Sequence, residues 1–497
     1  MRLQQRIAVC ANLLARSSIP AVSVQRSRIM HKQTLDALSM LEHRESNART
    51  YARSITRVLT RAELATVYDS EGRQYLDCLA CAGALPLGHN HPYVMERVSQ
   101  FLASGHILQA LDIVTPAKIE FVEALYRVLP PQFANDAKLQ FCGPTGSDAV
   151  EAAIKLFKTV TGRRSVLAFH GAYHGMTMGA LSLMGNRGPK ESVAGAMAEV
   201  HFLPYPNAYR CPFGVGGAQS DALSLTYIRH LLEDPESGIT KPALILLEAV
   251  QGEGGCIPAS AGWLAGLSEL ALRHQIPLVI DEVQTGFGRT GTMFAHEVAG
   301  IIPDAIVMSK AVGGGFPLSV LAYRRCYDGW RPGAHAGTFR GNQIALVAGA
   351  ATLEFLRSQG IAQQAAERGA RLRAGLESLQ RRYACIGDVR GRGLMLGIEI
   401  VDPHGPPDAR GLPPAAGELA RRIKHACLDE GLIIETGGRH GAVLRLLPPL
   451  IITEAETDEI LARLERALST VISAMDAPLL APAGVSCNAH NPVSETL

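Results

Sequence analysis

The chain has 497 residues, too many for one simple core, so we expect one large domain with one or two smaller lobes. Its 47% hydrophobic and 19% charged residues are typical of globular proteins, and a net charge of +2 gives no sign of a nucleic-acid or membrane partner. The sequence contains no run of eighteen apolar residues, so we predict no membrane span.

The first 35 residues are predicted to form a disordered N-terminal extension. This stretch contains several arginines and no acidic residue before Asp36, a composition that resembles an amphipathic transit peptide. We favour the alternative that it is an upstream extension preceding a start at Met30. Residues 36–95 are assigned to the N-terminal part of a smaller domain.

The ten cysteines are scattered singly, apart from Cys78 and Cys81 in the stretch CLAC. A CxxC pair can serve redox chemistry or half of a zinc site, but no second pair accompanies this one. We therefore predict no metal site. Scattered cysteines suit a reducing compartment, so we expect a cytoplasmic protein.

Short apolar strands alternate with helical stretches in the middle of the chain, which we assign to a large domain over residues 96–345. This alternation predicts an α/β fold whose mostly parallel sheet is covered on both faces. The clearest predicted strands are KLQFCG, SVLAFHG, PALILLEAV, IPLVIDEV and DAIVMSK. The clearest predicted helices are SDAVEAAIKLFKTVTG and GWLAGLSELALRHQ.

Three of these strands end in groups able to do chemistry, namely Glu248, Asp281 and Lys310. Ligands bind outside the carboxyl ends of strands in open α/β sheets, so these groups should converge. The alternative for Lys310 alone is a solvated strand end, because lysine is usually kept in water.

The pattern changes after about Gln343, where long helices alternate with strand-like segments such as GLMLGIEIV and AVLRLLPPLIIT. We predict that residues 346–474 form a C-terminal part of the small domain, of α+β type. Residues 475–497 contain many prolines, alanines and serines and are predicted to be a flexible tail.

A cofactor site is predicted where the turn GPTGS, residues 143–147, joins a strand to a helix. The N–H groups and the positive end of such a helix can hold a phosphate, although the turn alone could be only a helix cap. Asp281 follows four apolar residues and therefore needs a cationic partner. Together with Lys310 these features match pyridoxal 5′-phosphate, whose aldehyde forms a Schiff base with a lysine and whose pyridinium nitrogen pairs with an acid.

Eight motifs follow one another along the chain: YLDCLACAGALPLGHNHP, GPTGSDAVEAA, GAYHGMT, EAVQGEGG, DEVQTGFGRTG, SKAVGGGFP, GTFRGNQ and RLLPPL. Over about residues 55–470 the sequence thereby resembles the class III (ω-) aminotransferases of pyridoxal-phosphate fold type I. The stretch LEHRESNARTYARS is most similar to members that act on L-2,4-diaminobutyrate and 2-oxoglutarate. Ala249 is a departure, because the family usually has EPVQGEGG at this place.

The resemblance implies a large cofactor-binding domain and a small α+β domain built from both ends of the chain. It makes Lys310 the Schiff-base lysine and proton shuttle, Asp281 the partner of the pyridine nitrogen, and Gln284 a ligand of the ring hydroxyl. Gly146–Ser147 would hold the phosphate, and Tyr173 would stack on the ring. A tyrosine at this position could otherwise be a core residue.

The resemblance also implies a shared site in a homodimer, because Thr338 would reach the phosphate of the neighbouring subunit. Arg445 would bind the substrate α-carboxylate, and Glu253 would screen it when an ω-amine enters. Glu248 is placed with them in the substrate site. Solvated loop charges are the alternative for both glutamates.

The implied activity is a ping-pong transfer of the terminal amine of diaminobutyrate to 2-oxoglutarate, which yields aspartate 4-semialdehyde and glutamate. The alternatives are an ω-aminotransferase with another donor of the 4-aminobutyrate or ornithine type, an aminomutase or racemase, or a catalytically silent binding protein. A mutase or racemase would need no added keto acid. The residues do not fix the donor or the pathway.

Overall fold

The computed structural model describes residues 34–476. The predicted N-terminal extension and C-terminal tail therefore lie outside the described residues, except for residues 34–35 and 475–476. The α-helices span residues 34–44, Tyr51–Ser54, Pro92–Ala103, Pro116–Tyr126, Pro131–Ala134, Gly146–Thr161, Met178–Ser182, Gly188–Glu191, Gly217–Glu233, Ala261–Arg273, Gln343–Ser358, Ile361–Arg382, Gly417–Asp429 and Glu454–Asp476. A left-handed turn spans Ala80–Gly83, and short 3₁₀ turns span Ala295–Ala299, Lys310–Gly313, Arg325–Tyr327 and Arg439–Gly441.

The strands in chain order are β1 Leu59–Glu63, β2 Thr66–Asp69, β3 Gln74–Asp77, β4 Ala137–Phe141, β5 Val166–Phe169, β6 Val200–Leu203, β7 Leu244–Leu247, β8 Val250–Gln251, β9 Ile257–Pro258, β10 Leu278–Asp281, β11 Ala305–Met308, β12 Val320–Arg324, β13 Ile386–Arg392, β14 Met395–Ile400, β15 Leu432–Ile433, β16 Glu435–Gly437 and β17 Val443–Leu446. All five predicted strands are present, as β4, β5, β7, β10 and β11.

A seven-stranded sheet with the order β4-β12-β11-β10-β7-β5-β6 forms the centre of the large domain. Its strands run parallel except β12, which is antiparallel to both of its neighbours. Strands β5, β7, β10 and β11 are buried at every position. A strand covered on both faces needs apolar side chains on both, which explains their continuous apolar runs. The predicted α/β fold with a mostly parallel sheet is confirmed.

Helices cover both faces of this sheet, and successive strand residues join different cores. On β7, Leu246 belongs to a cluster that includes the buried face of helix Gly146–Thr161. Its neighbour Ile245 belongs to a second cluster with helix Ala261–Arg273. The two helices were predicted from the sequence, and both are confirmed. The packing leaves the carboxyl ends of the strands open for a site.

The smaller α+β domain combines the two ends of the described chain. In a four-stranded sheet, β15 from the C-terminal region pairs in parallel with β3, with Leu432 opposite Leu76. A second, antiparallel sheet has the order β13-β14-β17-β16. The boundaries predicted near residues 95, 345 and 474 stay predictions. No helix within residues 34–476 is both long and apolar enough to cross a membrane.

Candidate active site

Lys310 lies where the buried strand β11 meets a 3₁₀ turn. Its φ of +52° is in the left-handed region, which a residue with a side chain adopts rarely and which often marks functional strain. Burial lowers the pKa of Lys310, while the charges of Glu253 and Asp281 act in the opposite direction. Its amine has no hydrogen-bond or ion-pair partner within residues 34–476 and faces a cleft of about 1700 Å³. These properties suit a nucleophilic amine.

Asp281 ends the neighbouring strand β10 and is buried. One carboxylate oxygen lies 2.8 Å from Nδ1 of His174, and the other accepts the backbone N–H of Val283 at 2.9 Å. His174 is not among the residues predicted from the sequence, although it directly follows Tyr173 in the GAYHGMT motif. Its buried Nε2 has no partner in the described part of the chain. The pair fixes a carboxylate beside the lysine.

Glu282, next in sequence, points away from the cleft, as strand alternation requires. Its carboxylate binds the backbone N–H and the ring Nδ1 of His296, the latter at 2.8 Å. Both side chains are fully buried. Glu282 is therefore part of the support behind the site.

The turn over residues 143–147 leads into helix Gly146–Thr161, whose cap residue Thr145 makes no side-chain capping bond. The first N–H groups of the helix are therefore available to an anion. A Cβ on Gly146 would lie 3.0 Å from a methyl group of Val283, so glycine keeps the turn close to β10. The hydroxyl of Ser147 accepts the backbone N–H of Met176 at 3.3 Å.

Asp148 stabilises this turn from the first helical turn. Its carboxylate accepts hydrogen bonds from the backbone N–H of Gly143 and from Nε2 of His335, which lies 3.2 Å away. The bond from His335 is the main reason why the pKa of Asp148 is lowered. His335 therefore ties the turn to the loop that carries Thr338. Cys142 lies close to Asp148 and His335, and burial raises the pKa of its thiol.

Gln284 connects the site to the N-terminal region. Its Nε2 donates to the carbonyl of Ala82 at 3.0 Å, inside the left-handed turn. Its Oε1 is buried and has no partner among residues 34–476. A Cβ on Gly252 would lie 2.0 Å from this oxygen, so the glycine keeps space for it. The unpartnered oxygen marks a place for a ligand group.

Arg445 lies on β17 and is 1% exposed. Its Nη2 forms an ion pair of 2.7 Å with Oε1 of Glu253, whose side chain is 32% exposed. Nε and Nη1 of Arg445 are buried without a described partner. Burial is the largest single effect and acts to lower the pKa of Arg445, but the charge of Glu253, its hydrogen bond to Arg445 and the nearby Cys256 together raise the pKa. The structure thus holds a buried arginine behind a partly exposed glutamate.

The other three predicted site residues differ in position. Tyr173 lines the cleft together with Lys310 and Glu253. Glu248 is buried and does not line the cleft; it accepts the backbone N–H groups of Tyr173 and Gly252 at 3.0 and 2.9 Å. Thr338 is exposed and lies outside the cleft lining of its own chain.

The sequence model for class III aminotransferases matches residues 48–468. A diaminobutyrate–2-oxoglutarate aminotransferase of Rhizobium meliloti is 54% identical over 423 residues, which is 85% of this chain and 90% of the relative. One of the same name from Haemophilus influenzae is 49% identical over 424 residues, 85% of this chain and 93% of the relative.

Solved transaminase structures share the fold. An amine transaminase from an uncultivated Pseudomonas species, with pyridoxal phosphate bound, has a TM-score of 0.75 at 28% identity, covering 86% of this chain and 98% of that one. An (S)-enantioselective ω-transaminase from Thermomicrobium roseum has a TM-score of 0.77 at 26% identity, covering 89% of this chain and 99% of that one.

Proposed function

This chain belongs to the class III aminotransferases, and we propose that it moves the terminal amino group of L-2,4-diaminobutyrate to 2-oxoglutarate, with L-aspartate 4-semialdehyde and L-glutamate as products. Its identity to diaminobutyrate aminotransferases supports the donor. The observation that carries the proposal is the ion pair between Glu253 and Arg445 beside Lys310. Such a pair allows one cleft to accept an ω-amine and an α-amino acid in turn.

The cofactor is pyridoxal 5′-phosphate, and the described residues fit it. The unpartnered amine of Lys310 suits its aldehyde, the buried carboxylate of Asp281 suits its ring nitrogen, and the orphaned oxygen of Gln284 suits a ring hydroxyl. Gly146–Ser147 offer the phosphate an uncapped helix N-terminus. Tyr173 would cover the ring. When bound, the cofactor supplies a reactive carbonyl and a ring that withdraws electrons from the carbon bearing the amine.

The residues of the chain then have distinct tasks. The lowered pKa of Lys310 favours the neutral amine, which can take a proton from the donor carbon and return it to another carbon. The carboxylate of Asp281 would lie beside the ring nitrogen and stabilise its protonated form. His174 orients that carboxylate through the 2.8 Å contact and is a positioning residue.

Dual specificity follows from the electrostatics of the ion pair. Diaminobutyrate presents a reacting carbon without a carboxylate, and Glu253 then neutralises Arg445. Glutamate and 2-oxoglutarate carry a carboxylate next to the reacting carbon, which would replace Glu253 on Arg445. The partial exposure of Glu253 gives it room to move aside. Both substrates use the same site in turn, so the kinetics should be ping-pong.

We further propose a homodimer with shared active sites. Several large apolar side chains in the segment 102–119, and one in the loop that carries Thr338, are at least half exposed. They are Leu102, Ile107, Leu108, Leu111, Ile113, Val114, Ile119 and Phe339. An ion pair of 2.6 Å between Arg340 and Asp112 joins the two segments. Exposed apolar patches of this kind mark interfaces, and Thr338 lies next to this one.

The free thiols among the described residues support a cytoplasmic location.

The test is a donor panel with the cofactor-loaded protein. Diaminobutyrate, 4-aminobutyrate and ornithine are each supplied with 2-oxoglutarate, and glutamate and the aldehyde product are quantified. We expect the highest kcat/KM for diaminobutyrate and no net turnover without 2-oxoglutarate. Turnover that needs no keto acid would indicate a mutase or racemase, and a higher kcat/KM for another donor would refute the assignment.

A further inference from the structure

The cleft contains more cations than the proposed reaction has so far used. The lysine and arginine side chains that line it are Arg53, Arg187, Lys190, Lys310, Arg421, Lys424 and Arg439. Most have a partner: Arg421 pairs with Glu418, and Lys424 with Glu435. Arg53, Arg187 and Lys190 are likewise hydrogen-bonded or paired. Of these seven side chains, only those of Lys310 and Arg439 have neither a hydrogen bond nor an ion pair to any of residues 34–476.

The position of Arg439 is fixed by a tight turn. Gly438, His440 and Gly441 around it all have positive φ, of 70°, 61° and 65°. The N–H of Gly438 donates to the carbonyl of Glu253 at 2.8 Å. The turn is thereby attached to the loop that carries the glutamate of the ion pair.

The guanidinium of Arg439 extends over Gly171, whose missing side chain leaves it space. A Cβ on Gly171 would lie 3.4 Å from Nη2 and 3.6 Å from Nη1. Gly171 is two residues from Tyr173, which lines the same cleft. The charge of Glu399 acts on Arg439, but that carboxylate is already bound by Arg390 at 2.7 Å. Arg439 is therefore a cation open to a ligand.

We propose that Arg439 binds the substrate carboxylate remote from the reacting carbon. This inference rests on the proposed function. That carboxylate is the α-carboxylate of diaminobutyrate in one half-reaction and the γ-carboxylate of 2-oxoglutarate in the other. Arg445 cannot serve it in the first case, because Glu253 occupies Arg445 while the ω-amine reacts. A guanidinium provides paired donors that match a carboxylate.

The first test compares two donors that differ only in this carboxylate. 1,3-Diaminopropane is diaminobutyrate with hydrogen in place of the carboxylate. In Arg439→Gln, we expect kcat/KM of the first half-reaction to fall roughly 10- to 100-fold for diaminobutyrate and to stay unchanged for diaminopropane. Arg439→Lys should recover part of the loss. Arg421→Gln, which removes a paired cation from the same cleft, is the matched control and should change neither value. Equal losses for both donors would overturn the proposal.

A binding measurement decides the question without turnover. Glutarate carries both carboxylates of 2-oxoglutarate. Titration calorimetry with the cofactor-loaded protein should show weaker glutarate binding in Arg439→Gln and unchanged glutarate binding in the control Arg421→Gln. Unchanged glutarate binding in Arg439→Gln, or equal weakening in both variants, would overturn the role of Arg439. If the wild type did not turn over diaminobutyrate, the proposed function would fail, and the glutarate result would still judge Arg439 by itself.

Discussion

Replacing Glu253 with alanine removes the carboxylate that neutralises Arg445. In the wild type, glutamate must break this 2.7 Å ion pair before its α-carboxylate can bind Arg445, whereas diaminobutyrate leaves the pair intact. The variant has no pair to break. Glutamate should therefore react faster with the variant, and diaminobutyrate should gain nothing.

The size of the effect follows from the exposure of the two partners. A hydrogen bond to a charged group contributes about 1.5–3 kcal/mol, and the partial exposure of Glu253 places this one at the lower end. A value of about 1.5–2 kcal/mol corresponds to roughly a 10- to 30-fold rise in kcat/KM for glutamate. The conservative Glu253→Gln keeps a neutral acceptor and should give a smaller rise.

Stopped-flow absorbance of the first half-reaction measures kcat/KM for diaminobutyrate and glutamate separately. Glu435→Ala is the matched control, because it removes another cleft carboxylate that pairs with Lys424 rather than with Arg445. Its ratio of the two kcat/KM values should stay near that of the wild type. Parallel changes for both donors in Glu253→Ala would refute the idea that a substrate carboxylate replaces Glu253 on Arg445. Glu253 would then have a structural role only.

Two further substitutions test the cofactor site, and a third tests the buried Glu248 behind it. Asp281→Asn should retain the cofactor but slow turnover by orders of magnitude, because an amide cannot hold the ring nitrogen protonated; a loss below about tenfold, or about 1.4 kcal/mol, would contradict this. Gly252→Ala should raise the dissociation constant of the cofactor, since the added Cβ would lie 2.0 Å from Oε1 of Gln284, and an unchanged constant would be contrary evidence. Burial raises the pKa of Glu248 to about 7 from an ordinary 4.5. Between these two pH values the folded state therefore holds a proton on Glu248 that the unfolded state has lost, and the folded state loses stability as the pH rises. The Tm of the cofactor-free wild type should therefore fall relative to Glu248→Gln as pH rises from about 4.5 to above 7, and a constant difference would count against it.

The sequence predicts best those elements whose burial is uniform. Strands β10 and β11 are apolar at nearly every position because helices cover both faces, and their ends locate Asp281 and Lys310. The edge strand β6 was missed because it is mostly half-buried and its composition is mixed. Strand β12 was missed as well, although it is buried.

Contacts between residues far apart in the chain could not be predicted from the sequence. His174 reaches Asp281 across 107 residues of chain, and no local spacing reveals that contact. The assignment of Glu248 to the substrate site stays untested, but its two backbone hydrogen bonds support a structural role. Arg439 is distinguished only by its lack of a partner. That property can be recognised only when the positions of all its neighbours are known.

The central claim is that Lys310 carries the chemistry, and Lys310→Ala tests it most directly. The measurement is the rate of glutamate formation from diaminobutyrate and 2-oxoglutarate at saturating pyridoxal phosphate, with bound cofactor quantified in the same sample. We predict that the variant binds the cofactor non-covalently and loses turnover by several orders of magnitude, because both the covalent attachment and the proton transfer use this one amine. Near-normal glutamate formation by the variant would contradict the account.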